Sequence, residues 1–341
     1  MSIWKYSSWD AVMFTLSILH VVATVTLVVY WDNFTIMGWL GNIVLLTLMT
    51  TYNIIVISHF FTHTPWFVSR TMNMLVSILN SMNIGQSVQA YHLSHVRNHH
   101  KYNNDRGVGE NGPQDTSSTF INGKEIGEHS TLWNYSVLGG LFTLYNSFVR
   151  MFWAVFIWHK PLSNVDKGYE KLLSKDKARK IKELWQLRLD RLFQAVWVII
   201  LFTLSWKWVL FCYLPSLCFA FILVNIQNYY EHYGAQPENR FANSVSYYGR
   251  IYNLLMFNDG YHQEHHISGD THWKLLPNLR KKYLTKLSAQ ERVVSPVPAI
   301  LGFLHKRRPL LHKSIPNGFQ DGSRRQGSES REHSELCDRG E

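Results

Sequence analysis

The chain of 341 residues carries 34 Lys and Arg against 24 Asp and Glu, a net charge of +10, and is 46% hydrophobic. Its apolar and charged residues are segregated: 11–31 and 33–58 hold no Asp, Glu, Lys or Arg, and the last 25 residues are almost wholly polar, which excludes an evenly mixed soluble globule. Cys212, Cys218 and Cys337 form no CxxC pair, which excludes a disulfide framework and a built-in rubredoxin-like iron site.

A helix needs about 20 mostly apolar residues to cross a bilayer, because its backbone polar groups must be satisfied within the hydrocarbon. Residues 11–31 and 34–58 meet that requirement, and the short link between them makes a hairpin. Residues 72–88 form a weaker apolar stretch. The aromatic-rich run 132–158, interrupted by Arg150, reads either as an interfacial helix or as a further span. The basic stretch 167–191 reads as a solvated or headgroup-facing surface. Lys207 then separates 192–206 from 208–230, a second hairpin whose first member is short enough to draw on a snorkelling Arg191. Beyond Pro316 the composition is that of a disordered tail, dividing the chain into a membrane domain, 1–316, and a polar tail, 317–341. Sixteen Lys and Arg lie between His59 and Arg191 and sixteen after Glu231, while only Lys207 lies at the far ends of the hairpins. The positive-inside rule then predicts a multi-pass protein with both termini and the long central loop in the cytoplasm, and it sets nucleic acid aside as a partner. The expected fold class is all-α and integral to the membrane: about four transmembrane helices in two hairpins, under a cytoplasmic helical cap.

Seventeen histidines carry the functional argument. His59 and His63 follow the second span at i and i+4, the spacing by which two imidazoles on one helix face reach one metal. In HLSHVRNHH, His95 and His99 are expected to share a face, with His100 turned about 100° away so that the doublet can serve two metals. His232 stands alone at the end of the fourth span, and His262, His265 and His266 form the last group. Nine imidazoles exceed the four ligands of one tetrahedral zinc, so two metals are implied. Phe60 follows His59, which excludes the HExxH of a zinc protease. Imidazole suits iron, zinc, copper and nickel alike. Such a pair on the rim of a four-helix bundle is placed to act on a hydrocarbon chain entering from the bilayer, past residues such as Leu45, Met49, Phe221 and Val224.

The ordered set HxxxH, HxxxHH, lone His and HxxHH, spanning about 39–277, resembles the membrane fatty acid desaturase and alkane hydroxylase superfamily. NYYEHYG and HVRNHHKYNND, followed by Gly112, Pro113, Gln114 and Asp115, are similar to hydroxylases; GYHQEHH with Trp273, Leu276 and Pro277 is similar to desaturases and carotenoid ketolases. The resemblance implies a non-haem di-iron centre with O2 as co-substrate, held by His59, His63, His95, His99, His100, His232, His262, His265 and His266, and a lipid or fatty acyl substrate that is desaturated or hydroxylated. It also implies a contact through water from Asn228, one turn before His232, and a separate electron donor: a ferredoxin, a rubredoxin, or a cytochrome with its reductase. Asp259, Glu231, Glu264, Asp115 and Asp105 are candidates to orient the imidazoles. His92 reads as a tenth ligand or a supporting group; His272, His20, His159 and His129 read as ordinary. Left open are a ketolase or alkene-forming decarboxylase within the family and, outside it, a membrane zinc hydrolase or a metal-handling protein.

Overall fold

The computed structural model describes residues 2–107, 112–123, 125, 127–156 and 167–314. The predicted tail 317–341 and His159 lie outside them, as do residues 157 and 158 of the aromatic run. The described residues are mostly helical and contain no β-strand, only isolated bridges at Trp4 with Phe67 and Ser246 with Val294.

Helix α1 (Asp10–Val29) opens with an acid in its first turn, favourable at the positive helix end. Helix α2 (Ile36–His63) starts at Thr35, whose side chain accepts the Gly38 N–H, and runs through a π-helical segment, Asn53–Ser58, into its terminal turn, His59–His63. Helix α3 (Arg70–Ile84) is capped by Ser69 and stopped by Gly85 in the left-handed region, where a Cβ would press on Leu217 at 2.9 Å. Helix α4 (88–102) follows, its middle portion, His92–His99, again π-helical. Helix α5 (134–156) accounts for most of the aromatic run, with Phe142, Tyr145, Phe152 and Phe156 among its exposed residues. Helix α6 (Lys177–Leu204) joins a charged first half to an apolar second half. Helix α7 (Trp206–His232) begins where Ser205, at φ −160°, breaks the chain and caps the Trp208 N–H. The predicted break at Lys207 therefore falls two residues earlier, at a capping serine rather than at the charge.

Helices α1, α2 and α7 are long and apolar enough to cross a membrane. The apolar part of α6, residues 192–204, is the continuation of a longer charged helix. Beside an apolar core, the bundle buries small polar residues and exposes large apolar ones. Ser17, Thr24, Asn42, Thr47, Thr50, Asn53, Asn80 and Asn83 are buried, while Ile18, Val22, Val44, Leu48, Ile199, Phe202, Phe211 and Phe219 are exposed. Hydrocarbon is as apolar as leucine, so small polar contacts between helices, not burial of apolar surface, specify such packing. Leu45 belongs to this outer surface, which removes it from the expected chain path; Phe221 is buried, and Val224 packs partly buried against the core.

Three of these contacts set the register of α2 against α7. The Cys212 thiol lies 3.6 Å from the Trp39 carbonyl, Ser216 Oγ donates to the Ile43 carbonyl at 3.2 Å, and Thr47 Oγ1 donates to the Ser216 carbonyl at 3.4 Å. Partner numbers rise together along both helices, so the two run parallel. The offset that pairs Trp39 with Cys212 and Ile43 with Ser216 also pairs His59 with His232. Both helices thus end at one level, and that level is the site.

Candidate metal centre

The nine predicted histidines converge in two adjoining groups. His59, His63, His95, His100 and His265 form the first, and His99, His232, His262 and His266 the second; within each, one nitrogen per ring lies within 4.8 Å of all the others. Each doublet, His99–His100 and His265–His266, sends one ring to either group. The groups touch where His100 stacks on His266, ring centres 4.4 Å apart.

One feature of the second box departs from expectation. His95 joins His100, not His99, because the segment carrying them is π-helical. Its i→i+5 hydrogen bonds widen the turn, so the residue five positions on lies over the first. The 100° rotation expected for an α-helix does not apply. His59 and His63 lie in an α-helical turn and keep the i, i+4 relation.

Backbone and side-chain acceptors fix the tautomers that matter. His59 Nδ1 faces the Ile55 carbonyl at 3.0 Å, His232 Nδ1 the Asn243 carbonyl at 3.2 Å, and His99 Nδ1 the Asp115 carboxylate at 2.6 Å. Each Nδ1 therefore carries the proton, and each Nε2 presents a lone pair inward. His99 Nε2 and His232 Nε2 consequently face one another at 3.1 Å; His232 Nε2 is 3.3 Å from His262 Nε2, and His59 Nε2 is 3.0 Å from His265 Nε2. Lone pairs at such distances repel unless a cation lies among them. Nitrogens bound at about 2.0–2.1 Å to a shared metal lie about 3 Å apart, so the spacing fits. The Nε2 atoms of His63, His95, His100 and His266 are buried without a hydrogen-bond partner. Burial, reinforced by the neighbouring rings, holds His95, His100, His262, His265 and His266 well below the ordinary imidazole range. These rings are neutral at pH 7, the state a metal requires.

Around the rings stands a shell of acceptors. Burial raises the Asp115 carboxyl, but His99 and the N–H groups of Ser117 and Asn104 outweigh it and hold the carboxyl below its usual range. Asp105 accepts the N–H groups of Gln114 and Asp115 and so fixes that carboxylate in place. Asp259 lies 3.6 Å from His59 Nδ1 and Glu231 3.6 Å from His262 Nδ1; Gln227 Nε2 donates to both acids, at 3.1 and 2.6 Å. Glu264 instead accepts from Ser246 and Tyr248.

His92 stands outside both groups, with Nδ1 at 2.9 Å from the Thr62 carbonyl. Asn228 donates to the Tyr135 hydroxyl and to the Ser117 carbonyl. His129 is held by the Thr119 hydroxyl and the Gly234 N–H. His272, read as ordinary, is buried against Asp10 at 3.0 Å. Sequence reasoning also missed Asn103, whose Oδ1 lies 2.9 Å from His266 Nδ1, and Gln227. Asn103 could have been anticipated: Asn tolerates the left-handed conformation that ends a helix, and its φ is +49°.

The family model for fatty acid desaturase matches residues 33–296, about three-quarters of the sequence. The chain belongs to the fatty acid desaturase family. No curated protein matches it at a significant level. Membership of the fatty acid desaturase family implies an oxidoreductase acting on lipid, and together with the apolar helices it points to a membrane protein.

Proposed function

We propose that this protein is a multi-pass membrane oxidase in which two iron ions, held by the nine histidines, use O2 to desaturate or hydroxylate a lipid or fatty acyl chain. The observation that carries the reading is the pair of adjoining imidazole groups with lone pairs facing inward, at the level where α2 and α7 end. Iron bound there supplies the reduction of O2 and the oxidising power to remove hydrogen from an unactivated C–H bond. The chain's own residues orient the imidazoles: Asp115 for His99, the Ile55 carbonyl for His59, the Asn243 carbonyl for His232 and Asn103 for His266.

We read four crossings, α1, α2, α6 and α7, and the parallel register of α2 and α7 supports that reading. The chain leaves the metal level after α4 and must return to the opposite side before α7 begins, and α6 is the helix available for that crossing. Its 28 residues extend roughly 42 Å at about 1.5 Å per residue, with the charged half at the metal end. The predominance of Lys and Arg on that side supports a cytoplasmic location for it and for both termini.

The test is metal analysis of the purified protein together with lipid product profiling with and without O2. Iron near two per chain and an oxidised lipid that appears only with O2 are expected. Zinc, with turnover indifferent to O2, overturns the proposal.

A further inference from the structure

Reduction of O2 consumes electrons, and with three scattered cysteines the chain carries no iron–sulfur motif of its own to hold them. They must reach the buried rings through the protein surface. The cover over the rings is thin at Gly269. A Cβ at that position would lie 3.0 Å from His100 Nδ1 and 3.3 Å from the Cε1 atoms of both His100 and His63. Gly269 is itself partly exposed, so the backbone of one residue lies between solvent and two rings of the first group. His100 in turn stacks on His266 of the second group, ring centres 4.4 Å apart, so the two rings give one short path to both groups.

Four cations stand around this point: Arg240 and Lys5 reach it through side-chain contacts, Lys274 ends the loop and is held there by its backbone N–H, and Lys101 adjoins His100 in the chain. Arg240 donates to the Ile267 carbonyl at 3.3 Å. The Lys274 N–H donates to His272 Nδ1 at 3.4 Å. Tyr6 stacks on His272, and Lys5 lies 5.2 Å from the Tyr6 ring. Lys101 follows His100 directly. All four cations are exposed, and Asp270 is the sole acid between Ile267 and Lys274.

We propose that the loop 267–272 with Lys5, Lys101, Arg240 and Lys274 is the docking face for an acidic one-electron carrier protein, and that electrons enter at His100. The inference rests on the oxidase reading but is tested separately from it. A carrier whose redox centre lies near an acidic surface would be oriented by the four cations with that centre over Gly269, and complementary charge of this kind steers association and weakens with salt.

The test uses the full-length, metal-loaded protein in lipid nanodiscs and a plant-type [2Fe–2S] ferredoxin as probe. The dissociation constant and the rate at which pre-reduced ferredoxin loses its electron are measured for wild type, for the triple variant K101E/R240E/K274E, and for K171E/K175E/K177E, which reverses three exposed cations elsewhere. Metal content and thermal unfolding verify that each variant is folded and loaded. The loop triple is expected to raise the dissociation constant at least tenfold, the control less than threefold. No binding by wild type, a loop triple within threefold of wild type, or equal losses in the two triples overturns the docking face. Wild-type protein that takes electrons from ferredoxin at this face, yet yields no oxidised lipid with O2, overturns the oxidase reading and leaves the docking face standing.

Discussion

Asp115 shows how much of the centre depends on groups that touch no metal. Among the described residues it is the one carboxylate within hydrogen-bond reach of a clustered ring, and two backbone N–H groups hold its charge in place. An amide there keeps the shape but loses the charge and turns an NH2 toward one of those donors. Asp115→Asn is therefore expected to weaken metal binding about 10–100-fold, read by competition with a chelator; unchanged affinity counts against an orienting role. His272 is the opposite case, a histidine outside the metal groups that nevertheless matters. It and the Trp273 indole N–H both meet the buried Asp10 carboxylate, tying the start of α1 to the segment behind the last histidine box. His272→Ala leaves that carboxylate short of a partner, and an expected loss of about 1–3 kcal/mol should appear in thermal unfolding while metal content stays near wild type. Neither role could be read from spacing. Asp10 and His272 are 262 positions apart, and a contact of that range leaves no local pattern, whereas the nine clustered histidines stand out because ligands on short helical turns must repeat at helical intervals.

At the scale of elements, the π-helical turn in α4 decides which histidine serves which group. Deletion of Val96 removes the extra residue of the wide turn and leaves His95 and His100 at i, i+4, the α-helical spacing that holds His59 and His63 together. Metal content is expected to stay within twofold of wild type, measured on purified protein against a far-UV spectrum that retains its helicity. Loss of metal from the folded variant would mean that the wide turn is required in itself. The π-helical turn also marks the limit of what the sequence makes legible: the boxes are visible in it, but their division depends on a backbone hydrogen-bond pattern that the residues HLSHVRNH do not announce. A second element-level feature fastens α6 to α3 and α4. The Asp190 carboxylate accepts from Ser77 and Ser87 hydroxyls, the Gln89 N–H and the Gln186 amide. Asp190→Asn places donors against donors and should cost about 1–3 kcal/mol in unfolding measurements. From the sequence, 167–191 reads as a solvated or headgroup-facing surface; the buried Glu183, Leu187 and Asp190 give it one inward face that its charge density conceals.

For the whole molecule, the proposed topology puts Lys207 and Lys274 on opposite sides of the membrane. In a chain with its native cysteines replaced, Cys introduced at position 274 should react with an impermeant maleimide from the cytoplasmic side of sealed vesicles and Cys at position 207 only from the other; labelling of both from one side would refute four crossings.

The common end point of α2 and α7 fixes a depth as well as a site. The two helices have 28 and 27 residues, roughly 40 Å at about 1.5 Å each, against a hydrocarbon slab about 30 Å thick. In the proposed arrangement the histidines stand roughly 10 Å above the hydrocarbon, among the lipid headgroups. A carbon to be oxidised has to be raised out of the bilayer by that distance, and each methylene lifted gives up about 0.8 kcal/mol unless an apolar wall of the protein replaces the hydrocarbon it left. On the proposed function, elevation would govern which carbon reacts: the protein would measure from the membrane surface upward, and the length of chain kept dry along the climb would set the position of attack.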